Sequence, residues 1–356
     1  MRILTIFTGG TIGSSIDGNG RIATEEKTKY LLLQMYEEKY EKQGEGTAGD
    51  KITFCTLEPY RILSENLQGK YLEQLVQVLH KELEKEYDGI VITHGTDTLQ
   101  YTAAALQYLF ADAKIPIVLV SAAYVLTDER TNGLVNFAAA VDFIKEKQGT
   151  GVFVSYCNEK DVPRIHRGTR LQNALTFSAD ISSICQGEYG YFLEGKFVKN
   201  DQYLREHTEN KKRLPVNREC VKFDQNAKII RMHAYPGMQY PGMLYFGMLN
   251  SHAQMQGFEG DCHVKAVLYE SYHSGTICIC SELQEFAKQM KERNIPIFVT
   301  GLNAAEAEYE TVEMFRKMGL IAIENKAPIA QYVKLWIACS NGLDVRTIMQ
   351  ENYGEE

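Results

Sequence analysis

The chain has 356 residues, of which 44% are hydrophobic and 24% charged, and its formal net charge is −8. That composition belongs to a globular protein with room for two cored domains, and the acidic balance excludes the basic surface that nucleic acid or an anionic membrane demands. No apolar run approaches the roughly 18–20 residues that cross a bilayer, and no secretory signal precedes the first strand-like run, so the expected location is cytoplasmic.

In chain order, ILTIF (3–7) reads as a short buried strand running straight into Thr8-Gly9-Gly10-Thr11-Ile12-Gly13. Between 66 and 87, Leu67, Tyr71, Leu72, Leu75, Val76, Leu79 and Leu83 fall on one face of a helix. GIVIT (89–93) and IPIVLVSAA (115–123) are the continuous apolar runs of fully buried parallel strands. TLQYTAAALQYLF (98–110), between them, reads as a helix packed on the sheet. Strands alternating with helices imply right-handed crossovers, a parallel sheet, and a ligand site at the strands' carboxyl ends. Residues 191–222 are polar, charged and aperiodic, the texture of a linker. From AKIIRMH (227–233) onward the alternation resumes. The expected organisation is therefore an α/β N-terminal domain over 1–190, a linker over 191–222 and a smaller α/β domain over 223–356.

The eight cysteines, at 55, 157, 185, 220, 262, 278, 280 and 339, are scattered, several of them in apolar runs, and read as small buried hydrophobes. Cys278 and Cys280 have no second pair with which to complete a zinc site. Neither metal nor cofactor is expected.

Two strand-to-turn junctions carry candidate chemistry: Thr8–Gly13, and Thr93-His94-Gly95-Thr96-Asp97-Thr98. Each sets a hydroxyl beside glycines that let a ligand approach the backbone, with N–H groups free to hold an anion or a developing oxyanion. Glycine-rich turns are common in α/β proteins, and Asp97-Thr98 also suits a plain helix cap. A phosphate loop would need a lysine and dinucleotide binding would need G-x-G-x-x-G, and neither is present.

TGGTIG, HGTDT some 85 residues later, SENL (64–67), IHRGTR (165–170) and YPGM (235–238) together resemble the asparaginase family over essentially the whole chain. SENL with RGTR is also similar to the asparaginase-like subunit of the archaeal glutamyl-tRNA amidotransferase. The resemblance implies that Thr11 is the nucleophile and that Thr96 orients attack on the acyl carbon. It implies that Asp97 meets the substrate's α-ammonium, with Ser64 and Glu65 binding its amino-acid end beside Gly10 and Gly95. It also implies a homodimer or homotetramer acting on a small amino-acid amide.

Two family positions are altered. Asn173 stands where the family has the lysine that takes the threonine proton, and Arg21 where it has a tyrosine on the loop after TGGT. D-G-x-x-N-L reads Asn132–Phe137, and T-G-S/A reads Val120–Ala122. Lys160, in NEKD, is an alternative amine. Arg21 is either a cation at the pocket mouth or a solvent-facing loop residue. The expected activity is release of ammonia from asparagine or a related amide. The alternatives are an amidase of shifted substrate and a catalytically silent, amino-acid-binding homologue.

Overall fold

The computed structural model describes residues 1–16, 22–24, 28–42, 51–206, 210–225, 228–240, 264–305 and 308–355. They form two compact α/β units, Met1–Phe223 with Asn352–Glu356, and Asp224–Glu351.

The first unit runs β1 (Arg2–Phe7), β2 (Ser14–Ile16), β3 (Ile22–Thr24), α1 (Thr28–Tyr36), β4 (Thr53–Leu57), α2 (Gly69–Glu82) and β5 (Gly89–Thr93). It continues with α3 (Leu99–Phe110), β6 (Pro116–Val120), α4 (Gly133–Lys145), β7 (Gly151–Tyr156), β8 (Arg164–Arg167), β9 (Gly190–Leu193), β10 (Lys196–Lys199) and α5 (Asp201–Glu206). Among the described residues its main sheet has eight strands, in the order β10-β9-β8-β7-β6-β5-β1-β4. From β4 to β7 neighbours are parallel; β8, β9 and β10 are antiparallel additions. Every residue of β5, β6 and β7 is buried, which is why these strands read as unbroken apolar runs rather than alternating ones. On α2 the buried side includes Leu72, Leu75, Val76 and Leu79, as the period predicts. Each such side chain contributes about 1.5–3 kcal/mol of burial.

The strand order positions the site. β1 lies between β4 and β5, so the chain leaves β1 toward one neighbour and later returns on its other side. In a parallel sheet that reversal opens a crevice at the carboxyl ends of the strands concerned. The loops that follow β1, β4 and β5 therefore share one edge.

The second unit carries a parallel sheet in the order β11 (Ile229–His233), β12 (Ala266–Glu270), β13 (Ile297–Leu302), β14 (Ile321–Glu324). Helices Ser281–Glu292 and Glu310–Lys317 bury Leu283, Phe286, Met290 and Phe315 in a core with Val267, Tyr269 and Val299.

Two expectations differ from what is observed. Residues 191–222, expected as a linker, begin inside the β9–β10 hairpin, and the rest belongs to the first unit. The Leu214 N–H donates to Tyr108 O at 2.9 Å, and Arg218 Nε to Leu109 O at 2.7 Å, while Arg218 also pairs with Asp112. Leu214, Val216, Val221 and Phe223 are buried. Isolated apolar anchors without a period leave no helix or strand signature, so a packed strap reads as a connector. The cysteines are not buried either. Of the described seven, Cys185, Cys220 and Cys278 are exposed and the others half-buried. Cys55 lies on the edge strand β4, and TICIC is irregular chain rather than a strand.

The tail returns to close the first unit. The Gly354 carbonyl accepts from Gln107 Nε2 at 3.1 Å and from Thr169 Oγ1 at 2.9 Å, Tyr108 Oη donates to the buried Glu355 carboxylate, and Tyr353 is buried. Loss of a buried aromatic costs about 3–5 kcal/mol, and each lost hydrogen bond costs about 1 kcal/mol. Deletion of Asn352–Glu356 should accordingly lower stability by about 4 kcal/mol or more, measurable as a fall in the urea midpoint of unfolding.

Candidate active site

The turn after β1 is pinned by a continuation of the sheet. The Gly10 N–H donates to Ile62 O at 2.9 Å, and the Ile62 N–H to Thr8 O at 3.1 Å. Thr8 Oγ1 donates to Thr93 O at 2.6 Å, tying this turn to the end of β5. Beyond it the chain enters a single helical turn, Thr11–Gly13, entered from Gly10 at φ 77°.

Gly10 then meets the other junction directly. A Cβ on Gly10 would lie within 3.0 Å of the backbone nitrogen and Cα of Gly95. A Cβ on Gly95 would lie within 3.0 Å of Ser64 Oγ and Cβ, and 3.2 Å from Gly10 Cα. The loops after β1 and β5 thus meet backbone to backbone, and the loop after β4 meets Gly95 through the Ser64 side chain. Ser64 Oγ donates to Asp97 Oδ2 at 3.3 Å and Thr98 Oγ1 to Ser64 O at 2.9 Å. No side chain caps α3. Asp97 and Thr98 are spent on the Ser64 loop instead of the helix cap that their positions also suit.

His94 supports this arrangement from below. It is buried; its Nδ1–H donates to Gly95 O at 2.8 Å, and its Nε2 accepts from Thr102 Oγ1 at 2.9 Å. Burial lowers its pKa from 6.5 to about 4, so the ring is neutral and its tautomer is set by the Gly95 carbonyl.

The opposite wall comes from the loop after β8. That strand runs antiparallel, with Arg164 opposite Tyr156 and Arg167 opposite Phe153, away from the carboxyl edge. The chain must then climb back along α3. A Cβ on Gly168 would press on Ala103 O and on Gln107 Cβ, while the 171–182 loop shares a wall with Leu99 and Gln100 at the start of that helix. The base of the loop is closed by the Leu171–Ser183 bridge, by the Gln172 N–H donating to Ser182 O at 2.9 Å and by the Ile184 N–H donating to Arg170 O at 2.9 Å. His166 Nδ1 lies 2.9 Å from Ser183 Oγ. Asn158 clasps Ile181 twice, donating to its carbonyl and accepting from its N–H, both at 2.9 Å.

This loop and the Thr96 turn enclose a cavity of about 380 Å³ lined by Thr96, Asp97 and Asn173 among others. The structure therefore brings Asn173 to the same space as Thr96 and Asp97. Thr11 directly follows the Gly10 contact and is half-buried. Glu65 is exposed on the Ser64–Asn66 turn. Arg21 lies outside the described residues. Lys160 sits at φ 60° in an exposed turn beside Glu159, and does not line this cavity. Among the described residues no group of His, Cys, Asp and Glu could hold a metal ion.

The sequence reading missed His94 as a strut and Asn158 as a clasp. A histidine between strand and glycine carries no spacing signal, and an asparagine after a strand reads as any loop residue. Asn136 and Asn132 are similar cases. Asn136 bridges Ser121 O at 2.8 Å and the Cys157 N–H at 2.7 Å, and Asn132 bridges the Ala123 N–H and Cys157 O, each at 2.8 Å. These two lie within the altered D-G-x-x-N-L and tie the loops after β6 and β7 together.

A family model for the N-terminal region of asparaginase matches residues 2–204. Among curated proteins, the chain is similar to a glutamyl-tRNA(Gln) amidotransferase subunit of Methanosphaera stadtmanae, 29% identical over 65% of this chain and 50% of that one. The corresponding protein of Sulfolobus acidocaldarius is 25% identical over 99% and 75% of the two chains. The chain spans about half the length of most of the curated relatives it matches. Among solved structures, the thermostable L-asparaginase from Thermococcus kodakarensis superposes with a TM-score of 0.72 at 22% identity, covering 100% and 99% of the two chains. L-asparaginase I from Vibrio cholerae gives 0.73 at 22%, covering 99% and 98%. At that identity these two likenesses speak for the fold.

Two outcomes test the geometry. Gly10→Ala adds a Cβ at positive φ against Gly95, so strain and overpacking should together cost about 2–4 kcal/mol. At Gly13 nothing lies within 4 Å of the added Cβ, and Gly13→Ala should fall within about 0.5 kcal/mol of wild type; chemical denaturation of both variants reads the difference. The second outcome concerns acid. His94 and His166 both have folded pKa values of about 4, lowered from 6.5 chiefly by burial. Below pH 6.5 the unfolded chain binds protons that the folded one refuses. Stability is thus full above pH 6.5 and declines toward pH 4, by up to about 1.4 kcal/mol per pH unit for each histidine. His94→Asn, which keeps a donor for Gly95 O, should roughly halve the decline these two contribute in urea titrations at pH 7 and pH 5.

Proposed function

Since the chain belongs to the asparaginase family, we propose that it hydrolyses the side-chain amide of an amino acid through a threonyl ester. The observation that carries this reading is the close meeting of Gly10 with Gly95, which supports Thr11 and Thr96, the residues next in sequence, acting together. A hydroxyl nucleophile and backbone N–H donors for the oxyanion are then at hand. Thr11 Oγ1 attacks the amide carbon; nitrogen leaves as ammonia carrying the hydroxyl proton. Water then cleaves the ester, with Thr96 orienting attack. Asp97, held by Ser64, takes the substrate's ammonium group, and Glu65 borders the same end. Gly10, whose N–H is given to Ile62 O, borders the substrate by its lack of a side chain, and Gly95 offers its backbone N–H. The protein acts in the cytoplasm as a homodimer or homotetramer, on a small-molecule amide.

Asn173 supports a second reading. It lines the cavity with Thr96 and Asp97 where the resemblance puts a lysine. An amide nitrogen accepts no proton, so the threonine lacks that base. Loss of a positioned base costs ~10²–10⁴ in rate and leaves binding intact, which would suit an amino-acid-binding subunit that turns over slowly. The relatives named as amidotransferase subunits favour a partnered role of this kind.

One assay series separates the two. Ammonia release from asparagine should be slow and should vanish in Thr11→Ala. Asn173→Lys should raise it, by up to ~10²–10⁴. Binding without release in either the wild type or Asn173→Lys, with aspartate raising the melting temperature, selects the silent homologue. Fast asparagine hydrolysis by the unmodified chain would show that another group does the work of the lysine.

A further inference from the structure

The wall facing Thr96 and Asp97 is built for something bulkier and less polar than a primary amide. Residues 171–182 present Leu171, Ala174, Leu175, Phe177 and Ile181 to the cavity, together with Leu99 of α3. Leu175 and Phe177 are among the most exposed large hydrophobic side chains of the described residues, and Phe177 is held at φ 65°. Two exposed apolar side chains on one short loop mark a surface that a ligand or a second subunit covers, and their place in the lining of the cavity beside Thr96 and Asp97 favours the ligand. The loop is nevertheless fixed, being zipped at its base by the Leu171–Ser183 bridge and clasped at Ile181 by Asn158.

Size and charge point the same way. The cavity of about 380 Å³ falls in the ~300–1,000 Å³ range that encloses drug-sized ligands, so bare asparagine would leave much of it to water. Among the described residues, the charged side chains lining it are Asp97 and Asp180, and no basic side chain is among them. The 171–182 wall accommodates a ligand's ammonium group, and none of its own side chains is a cation for a further carboxylate.

Resting on the amidohydrolase reading, we infer that the preferred substrate is an N-substituted side-chain amide, whose amide nitrogen bears an apolar or aromatic group lying along Leu175 and Phe177. Its free α-ammonium sits at Asp97. The carbon–nitrogen bond breaks as Thr11 Oγ1 bonds to the carbon, and the nitrogen departs as a primary amine with the hydroxyl proton. Water then opens the threonyl ester, leaving aspartate or glutamate and restoring the hydroxyl. Asn173 hydrogen-bonds the amide instead of acting as a base, and amine release replaces ammonia release.

The test uses the full chain with N4-benzylasparagine, N4-ethylasparagine and asparagine, reading aspartate formation common to all three. The benzyl compound should be turned over with a kcat/KM at least tenfold above that of asparagine, and the ethyl compound should fall between them. The exposed double change Leu175→Ser with Phe177→Ser should reduce that preference severalfold by raising KM for the benzyl compound. Asparagine turned over as well as or better than the benzyl compound would overturn this inference and leave the amidohydrolase reading standing. Aspartate from none of the three, with the wild type and Thr11→Ala alike, would overturn both.

Discussion

Everything in the candidate site depends on two glycines occupying space that no side chain could share. Gly10 and Gly95 belong to turns some 85 residues apart; a Cβ on Gly10 would overlap Gly95, and one on Gly95 would overlap Ser64 and crowd Gly10. Because β1 and β5 pair residue for residue, with Phe7 opposite Thr93, both turns leave the sheet at the same height. Glycine then lets them close to backbone contact, so that the residues next in sequence, Thr11 and Thr96, flank one seam. The Ser64 loop fills the third side through its contact with Gly95 and its hydrogen bond to Asp97. This is a packing constraint first; the chemistry inherits it.

That seam was largely legible in the sequence because it is written in glycine and threonine at strand ends, where few other residue types would serve. The strands β5 and β6 and the helices α2 and α3 were legible for a different reason: a fully buried strand shows an unbroken apolar run, and an amphipathic helix shows its period. What lay hidden has no period. The strap through Leu214, Val216 and Phe223 anchors one residue at a time, and a polar background conceals it. Asn158 acts through backbone atoms of Ile181 that only the fold brings close, and His94 through its neighbour's carbonyl and the Thr102 hydroxyl one helix away. The cysteines misled because an apolar neighbourhood in sequence does not distinguish a central strand from an edge strand or an irregular loop. Cys55 on β4 and Cys278 in TICIC are the instances.

The motif IHRGTR shows how a resemblance can carry structure rather than chemistry. Arg167 is buried, donates to Thr150 O at 2.7 Å and lies over the rings of Phe153 and Tyr189. Arg170 is buried and donates to Gly187 O at 3.1 Å. The Arg170 guanidinium braces the chain just after the 171–182 loop, at Ile184 and Gly187, where His166 meets Ser183, while that of Arg167 is held on the β7 side. None of them lines the cavity. The motif fixes where the loop begins, and leaves open what the loop presents.

That division accounts for how a site of this kind can change its chemistry without losing its fold. The glycine seam cannot be altered cheaply, since a side chain at Gly10 collides with the Gly95 backbone and one at Gly95 collides with Ser64. The 171–182 loop hangs from β8, an antiparallel strand at the side of the sheet away from β1, and is fixed at its two ends and at Ile181. Between those anchors, residues 173–180 are exposed, and a substitution there disturbs little packing. Asn173, which stands where the resemblance puts a base, lies in that permissive stretch, as do Leu175 and Phe177, which line the cavity. The glycine contact and the cavity wall therefore sit on elements with very different tolerance to change. An asparagine at position 173 can accordingly coexist with an intact Thr11–Thr96–Asp97 set.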